Sequence, residues 1–445
     1  YNQTGALWDI QTNAYITCGI CAGDEFFNNA GTFRKSGGPG TSTINVTFTN
    51  NATVTNLIGI LSFNSGGPLA GTYGTSASAI TEFAGGNFTI GIPPLITGLG
   101  LCEFIGTTLT LTQNVPTNLA LASGNVILGP AFQNGGAISN LTLNGVTLVS
   151  TNTVTGTLNW AGGTVSGLLT IANGGVLNIT GSVSLDNVLT NAGTVTMSGA
   201  GNLTIYNNNS TYKGGIYNQT GALWDIQTNA YITCGICAGD EFFNNAGTFR
   251  KSGGPGTSTI NVSFTNNATV NALMGILGFN GNFTTTGGTL AFGVSGLSSF
   301  GQINVTGNVA LNGTANVAWL NGFIPANGNS FALMDYGSHS GTFAAITLPP
   351  GSLGQGIYGA TVFTLMITNT TAQAPPVFLS IKLVNPSNAV VSWPSSATNY
   401  SLQTSTNLAP GSWSNVIAGV TTAGTNYVHT NNVNGKAGFF RLHSP

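Results

Sequence analysis

One stretch of this chain occurs twice. Tyr1 to Thr53 reads YNQTGALWDIQTNAYITCGICAGDEFFNNAGTFRKSGGPGTSTINVTFTNNAT, and it returns at Tyr217 to Thr269 with a single change, Thr47 against Ser263. Weaker matching runs on to Asn64 and Asn280, so the duplicated segments are 1–64 and 217–280. A duplication this close points to an architecture of stacked, similar units, each covering the core of the next.

Inside and between the two copies the dominant signal has a period of two. In Thr43-Ile44-Asn45-Val46-Thr47-Phe48 the apolar Ile44, Val46 and Phe48 share one face, and Asn45 and Thr47 the other. The pairs Leu141/Leu143, Leu177/Ile179, Val195/Met197 and Leu203/Ile205 repeat the pattern. Corner units of the form Asn-x-Gly or Gly-Gly introduce many of these short runs, as in Asn29-Ala30-Gly31 and Asn245-Ala246-Gly247. Gly and Asn tolerate the positive φ that tight corners demand. Gly156, Gly175 and Gly193 recur at nearly even spacing, and Gly5 and Gly31 at a wider one. Coils of roughly 18 to 28 residues suit a β-solenoid rung. A propeller needs a longer and steadier period.

Charge is sparse. Asp, Glu, Lys and Arg make up 4% of the chain, against about 25% in ordinary soluble proteins. Little repulsion then keeps molecules apart, which suits something assembled or attached. A net charge of −2 offers no basic footprint for nucleic acid. No uninterrupted apolar run reaches membrane-spanning length, and the nearest candidate, Ile90 to Gly106, is broken by Pro93, Pro94 and several glycines, so no membrane insertion is expected. Disorder does not fit 41% hydrophobic residues in regular alternation. The chain starts at Tyr1 without Met, so a leader is expected to have been removed, with an extracellular or cell-surface location.

Together these features predict an all-β chain: a β-solenoid (parallel β-helix) followed by a small Ig/fibronectin III-like β-sandwich. The solenoid is expected over 1–285, a C-terminal solenoid or cap segment over 286–372, and the sandwich over 377–445. Gln373-Ala374-Pro375-Pro376 reads as a linker.

Two stretches carry a resemblance. Leu320-Asn321-Gly322-Phe323-Ile324-Pro325, Gly328-Asn329-Ser330-Phe331-Ala332-Leu333-Met334 and Gly341-Thr342-Phe343 resemble the closing segment of bacterial autotransporter-type and related surface-exposed β-helix repeat proteins. Asn245-Ala246-Gly247-Thr248-Phe249 is similar to their rungs. The resemblance implies a secreted or surface β-helix, structural or adhesive. Val391-Ser392-Trp393-Pro394, Tyr400-Ser401-Leu402-Gln403 and Phe439-Phe440-Arg441-Leu442 resemble fibronectin type III-like terminal modules of exported bacterial proteins. Such a module implies display, anchoring or secretion sorting.

Few groups offer chemistry, and neither an enzyme nor a cofactor is expected. Cys18/Cys21 and Cys234/Cys237 form CxxC pairs without the βαβ setting of a redox motif, and read as possible short disulfides. A zinc site would have to join two pairs that lie in separate copies, many rungs apart. Cys102 is left over. Asp24-Glu25 and Asp240-Glu241 are adjacent carboxylates, as a polysaccharide lyase would need, but neighbouring strand residues face opposite ways. Pairing of Asp24-Glu25 with Arg34-Lys35 one rung away is the expected structural role. Asn45, Asn51, Asn87, Asn140, Asn261 and Asn267 lie in Asn-x-Ser/Thr acceptor sequences and are possible glycosylation sites. Trp8, Trp160, Trp224 and Trp319 are the aromatics that a carbohydrate-binding stalk could use, core filling being the alternative.

The first copy begins at once with rung sequence, and an uncapped leading rung is the expectation. Tyr1, Trp8 and Ile10 then form an assembly edge, and the leading expectation is a secreted structural protein that self-assembles head to tail into a filament or surface layer. A monomeric adhesin or glycan-binding stalk and a lyase-like β-helix enzyme are the alternatives.

Overall fold

A computed structural model describes residues 1–20, 23–133, 135–280, 283–370, 377–398, 400–432 and 438–443. These contain no α-helix and one short 3-10 turn, Pro410–Ser412. The linker residues 373–376 lie outside the described set. The chain divides into two units, Tyr1–Thr370 and Thr371–Pro445.

The first unit is a β-solenoid of about 15 turns. Each regular turn contributes three short strands, as in Thr32–Lys35, Thr41–Ile44 and Thr47–Asn50. Each strand pairs in parallel with its counterpart one turn on, so Thr32, Thr53 and Thr72 stack in one column. Where a corner carries a loop the step lengthens, as between Thr194 and its partner Leu223. The alternation read from sequence supplies the lining. Phe33, Val54 and Tyr73 are buried along one face, and Phe27 stacks on Phe48 at 5.4 Å along another. Each such side chain contributes about 1.5–3 kcal/mol on burial.

Gly5, Gly38 and Gly174 take the positive φ expected of corners, but the Asn-x-Gly corners work differently. Asn29, Asn50, Asn218, Asn245 and Asn266 point inward and are buried. Their amides form ladders: Asn29 Nδ2 donates to Asn50 Oδ1 at 2.8 Å, and Asn218 Nδ2 to Asn245 Oδ1 at 2.8 Å. The Asn29 and Asn218 amides also donate to a main-chain carbonyl of the next turn, Thr53 and Thr248 respectively. A buried carboxamide is tolerated because the rung above and below satisfies it. Gly31 and Gly247 do not adopt positive φ. A Cβ on Gly31 would meet the carbonyl oxygens of Gln3 and Ala6 at 2.4 Å, so close approach of the preceding turn is what demands glycine.

The coil is not continuous on all faces. The sheet begun by Leu7–Ile10 ends at Leu95–Gly98, and the one begun by Tyr15–Ile16 ends at Leu119–Leu121. Among the described residues only the sheet that starts at Gly67–Pro68 carries through by strand pairing, with Val126 pairing Leu148. Followed upward, the column that holds Phe88 and Leu109 runs through Val126, Leu148, Val165, Leu185 and Ile205 to Cys234. Phe27 lies at the start of this face, paired with Phe48, whose amide donates to Gly66 on the way to Phe88. Its twin Phe243 sits in a different column, with Leu189, Ile216 and Phe264. The two copies of the repeat therefore occupy different faces of the coil.

Parallel rungs run on past residue 285 to Ala345–Thr347. There Val362–Thr370 lies antiparallel on Ser330–Gly341, and Ser352–Tyr358 antiparallel on Val362–Thr370. Reversing direction ends the parallel stacking.

The second unit has two small antiparallel sheets. One orders Ser380–Asn385, Asn388–Pro394, Asn426–Asn432 and Val420–Ala423, and the other Ser414–Asn415, Ser401–Ser405 and Phe439–His443. Val391, Trp393, Ala397 and Leu402 form its core. Arg441 stacks over Trp413 at 4.4 Å.

Candidate functional site

The duplication provides an internal control, the same residues in two settings. In the second copy, Leu223–Ile226 is covered by Thr194–Met197, with Val195 over Trp224 and Met197 over Ile226. In the first copy, Leu7–Ile10 is the terminal strand of its sheet and pairs only with Thr32–Lys35 among the described residues. Trp224 is 0% exposed and Trp8 45%. Tyr1 is exposed at 81% against 44% for Tyr217. Ile10 lies on the same edge strand, but its side chain is buried, so it does not belong to the exposed edge that the sequence suggests. The amide ladder ends there too. Asn218 accepts from Asn191 at 2.8 Å and donates to Asn245, whereas among the described residues Asn2 only donates, to Asn29 at 2.7 Å.

Charged residues take other partners than sequence proximity suggests. Arg34 bonds Asp9 at 2.7 Å, and Arg250 bonds Asp225 at 2.7 Å. Asp9 and Arg34 are register neighbours on adjacent outward positions, which Asp24 and Glu25 are not. The hydrogen bond from Arg34 holds the Asp9 carboxyl well below the usual range. Burial pushes Asp225 up, but hydrogen bonds from Arg250, Ser252 and Gln227 outweigh it and leave the carboxyl lowered. Glu241 is buried and turned into its own loop, where it accepts from the Cys237 and Gly239 amides at 2.9 and 3.3 Å. Asp24 is exposed and Glu25 half-buried, with Glu25 accepting from Gly23 at 3.1 Å.

Lys35 and Lys251 are both 0% exposed, and among the described residues neither makes an ion pair. Each ammonium sits in a cage of neutral acceptors. Lys35 Nζ donates to the carbonyls of Gly37 and Gly38 at 2.9 Å and to Ser42 Oγ at 3.0 Å. Lys251 Nζ donates to the carbonyls of Gly253 and Thr228 and to Ser258 Oγ. Burial pushes Lys251 down to about 8 and lowers Lys35 as well. From sequence alone these lysines read as surface partners of the neighbouring carboxylates. The Gly-Gly-Pro-Gly run that follows each supplies the bare carbonyls and is the signal that sequence offers for the cage.

Cys234 and Cys237 form a disulfide, and Cys18 is disulfide-bonded, while Cys21 lies outside the described residues. Cys102 is a buried free thiol, pushed up to about 12 by burial and by the neighbouring Glu103 charge. Among the described residues no cluster of His, Cys, Asp and Glu is arranged to hold a metal ion. Trp160 and Trp224 are fully buried, so neither can stack on a sugar, and Trp319 is half-buried with its Nε1 donating to Ser352 Oγ. Of the acceptor asparagines, Asn51, Asn87, Asn140 and Asn267 are exposed, and Asn45 and Asn261 are half-buried.

Compared with known proteins, the chain matches no protein family and no curated relative.

Proposed function

We propose that this is an extracellular structural protein of surface-exposed β-helix type that associates end-on, rung against rung, into a filament or layer. The observation behind this reading is the contrast between Trp8 and Trp224. Identical sequence is buried where a rung such as Thr194–Met197 lies on it. Among the described residues, the edge at Tyr1, Leu7 and Trp8 therefore has the shape, the open main-chain groups and the amide acceptor that a further rung would satisfy. In this reading the covering rung belongs to another molecule, and a contact between unlike ends that does not close gives open filaments. Support for an exported setting comes from the Cys234–Cys237 disulfide and from the near absence of charge. The second unit reads as an Ig/fibronectin III-like sandwich used for display or anchoring, built on Trp393 and Leu402.

The test is sedimentation and electron microscopy of the full chain across a concentration series. Concentration-dependent filaments or end-on oligomers are expected. They should disappear in Trp8→Asp while the monomer stays folded, with an unfolding free energy lowered by no more than about 1 kcal/mol. Monomers at every concentration, as a covering rung on the same polypeptide would give, or assembly indifferent to Trp8→Asp, would defeat the reading.

A further inference from the structure

Each copy of the repeat carries a similar surface groove lined by no charged side chain, and we infer that these grooves bind neutral oligosaccharide. In the second copy the register places Thr190, Tyr217, Asn244 and Thr265 in one outward column over four successive rungs. Rungs about 4.8 Å apart make this column roughly 14 Å long. Gln219 and Asn267 line the corner beside it, and the space between is about 520 Å³. No charged side chain lines it.

Three properties select the ligand. Tyr217 is 44% exposed, and its ring is braced by Phe242 at a centroid distance of 5.0 Å. A held aromatic ring offers an apolar surface with little rotamer entropy to lose. The side-chain amides of Gln219 and Asn244 make no hydrogen bond among the described residues, so each has a donor and an acceptor to offer. Thr190 and Thr265 add hydroxyls. A ring plus neutral donors and acceptors, without any counter-charge, matches a molecule of hydroxyls and C–H faces. Phosphate and carboxylate ligands would meet no cation here.

The first copy repeats the arrangement with Tyr1, Gln3, Asn28 and Asn51 around about 390 Å³. Thr190 has no counterpart there among the described residues. Because the copies lie on different faces of the coil, the chain presents two such grooves in different directions, as a cross-linker of a glycan matrix would. The ligand assigned here is a free chain; Asn51 and Asn267 lie in acceptor sequences, so the protein's own N-linked glycan is the competing occupant. The second groove lies within the coil, so binding there is independent of end-on assembly, whereas the first shares Tyr1 with the proposed edge.

The experiment is calorimetry on the full chain, made in a host that does not glycosylate, with cellohexaose, laminarihexaose, xylohexaose and chitohexaose as probes. At least one probe should bind with two sites per chain. Asn28→Ala should remove one site. Tyr217→Ala should weaken the other by about tenfold, and Tyr217→Trp should retain it. The unfolding midpoint of each variant, unchanged, shows that the coil is intact. No binding of any neutral probe, or binding that survives Asn28→Ala with Tyr217→Ala, overturns the inference. So does intact mass of natively produced protein showing glycans on both Asn51 and Asn267, which would make the grooves self-occupied.

Discussion

Residues 1–64 and 217–280 are nearly the same sequence, yet they are different physical objects. In the second copy, Trp224, Asp225 and Asn218 are closed in by the turn that carries Val195 and Asn191. In the first copy the equivalent Trp8 is at an edge, and among the described residues Asn2 makes only half of the ladder. Lys35 and Lys251, by contrast, are equally buried, because their cages are built from residues within each copy. Neighbours from inside the repeat are inherited with the sequence. Neighbours from the adjoining turn are not.

The sharpest way to break this comparison is the tryptophan pair. Trp224→Ala should cost about 3–5 kcal/mol of unfolding free energy, as for a buried aromatic, and Trp8→Ala about 1 kcal/mol or less. Equal losses in denaturant titrations would show that the two edges are covered alike.

The caged lysines should behave alike instead. Lys251→Ala strands buried carbonyls and should cost about 2–3 kcal/mol, with Lys35→Ala close to it. The sign of the pH dependence follows from the lowered folded-state value. Folding disfavours the protonated Lys251, so its cost is full below pH 8 and fades as pH rises from about 8 to 10.5. Stability measured over that window should rise in wild type relative to Lys251→Met.

Smaller again is the amide ladder. Asn218→Ala breaks bonds to the rungs on both sides and should cost about 2 kcal/mol, against about 1 kcal/mol for Asn2→Ala. The smallest expected effect is acid-dependent. The lowered Asp225 carboxyl stabilises the fold above its unfolded value and loses that contribution as pH falls through the folded one. Wild type and Asp225→Asn should therefore converge in stability as pH falls below about 4.

Much of the fold is legible in the sequence. Alternation in Thr43 to Phe48 announces a strand with an inward apolar face, and Ile44 and Phe48 are buried. Recurrent corner glycines announce the coil, and Thr32, Thr53 and Thr72 stack at the similar short spacing they imply. Partner choice is less legible. Closeness in sequence points Arg34 to Asp24-Glu25, but the pairing is set by register, which puts Asp9 beside it. Trp160 and Trp224 cannot be assigned to core or surface until their columns are known.

What the sequence alone determined is local: which residues extend, which face inward, and where a corner needs glycine or a carbonyl cage. Tertiary structure decided which turn lies on which, and hence that the second copy does not enter the coil on the same face as the first. The physical reason is that stacking joins residues about a turn apart across corners of unequal length. The chain between the copies does not hold a whole number of turns, so each strand of the second copy joins a different column from its twin. No local pattern can carry that information, because the two copies are locally the same.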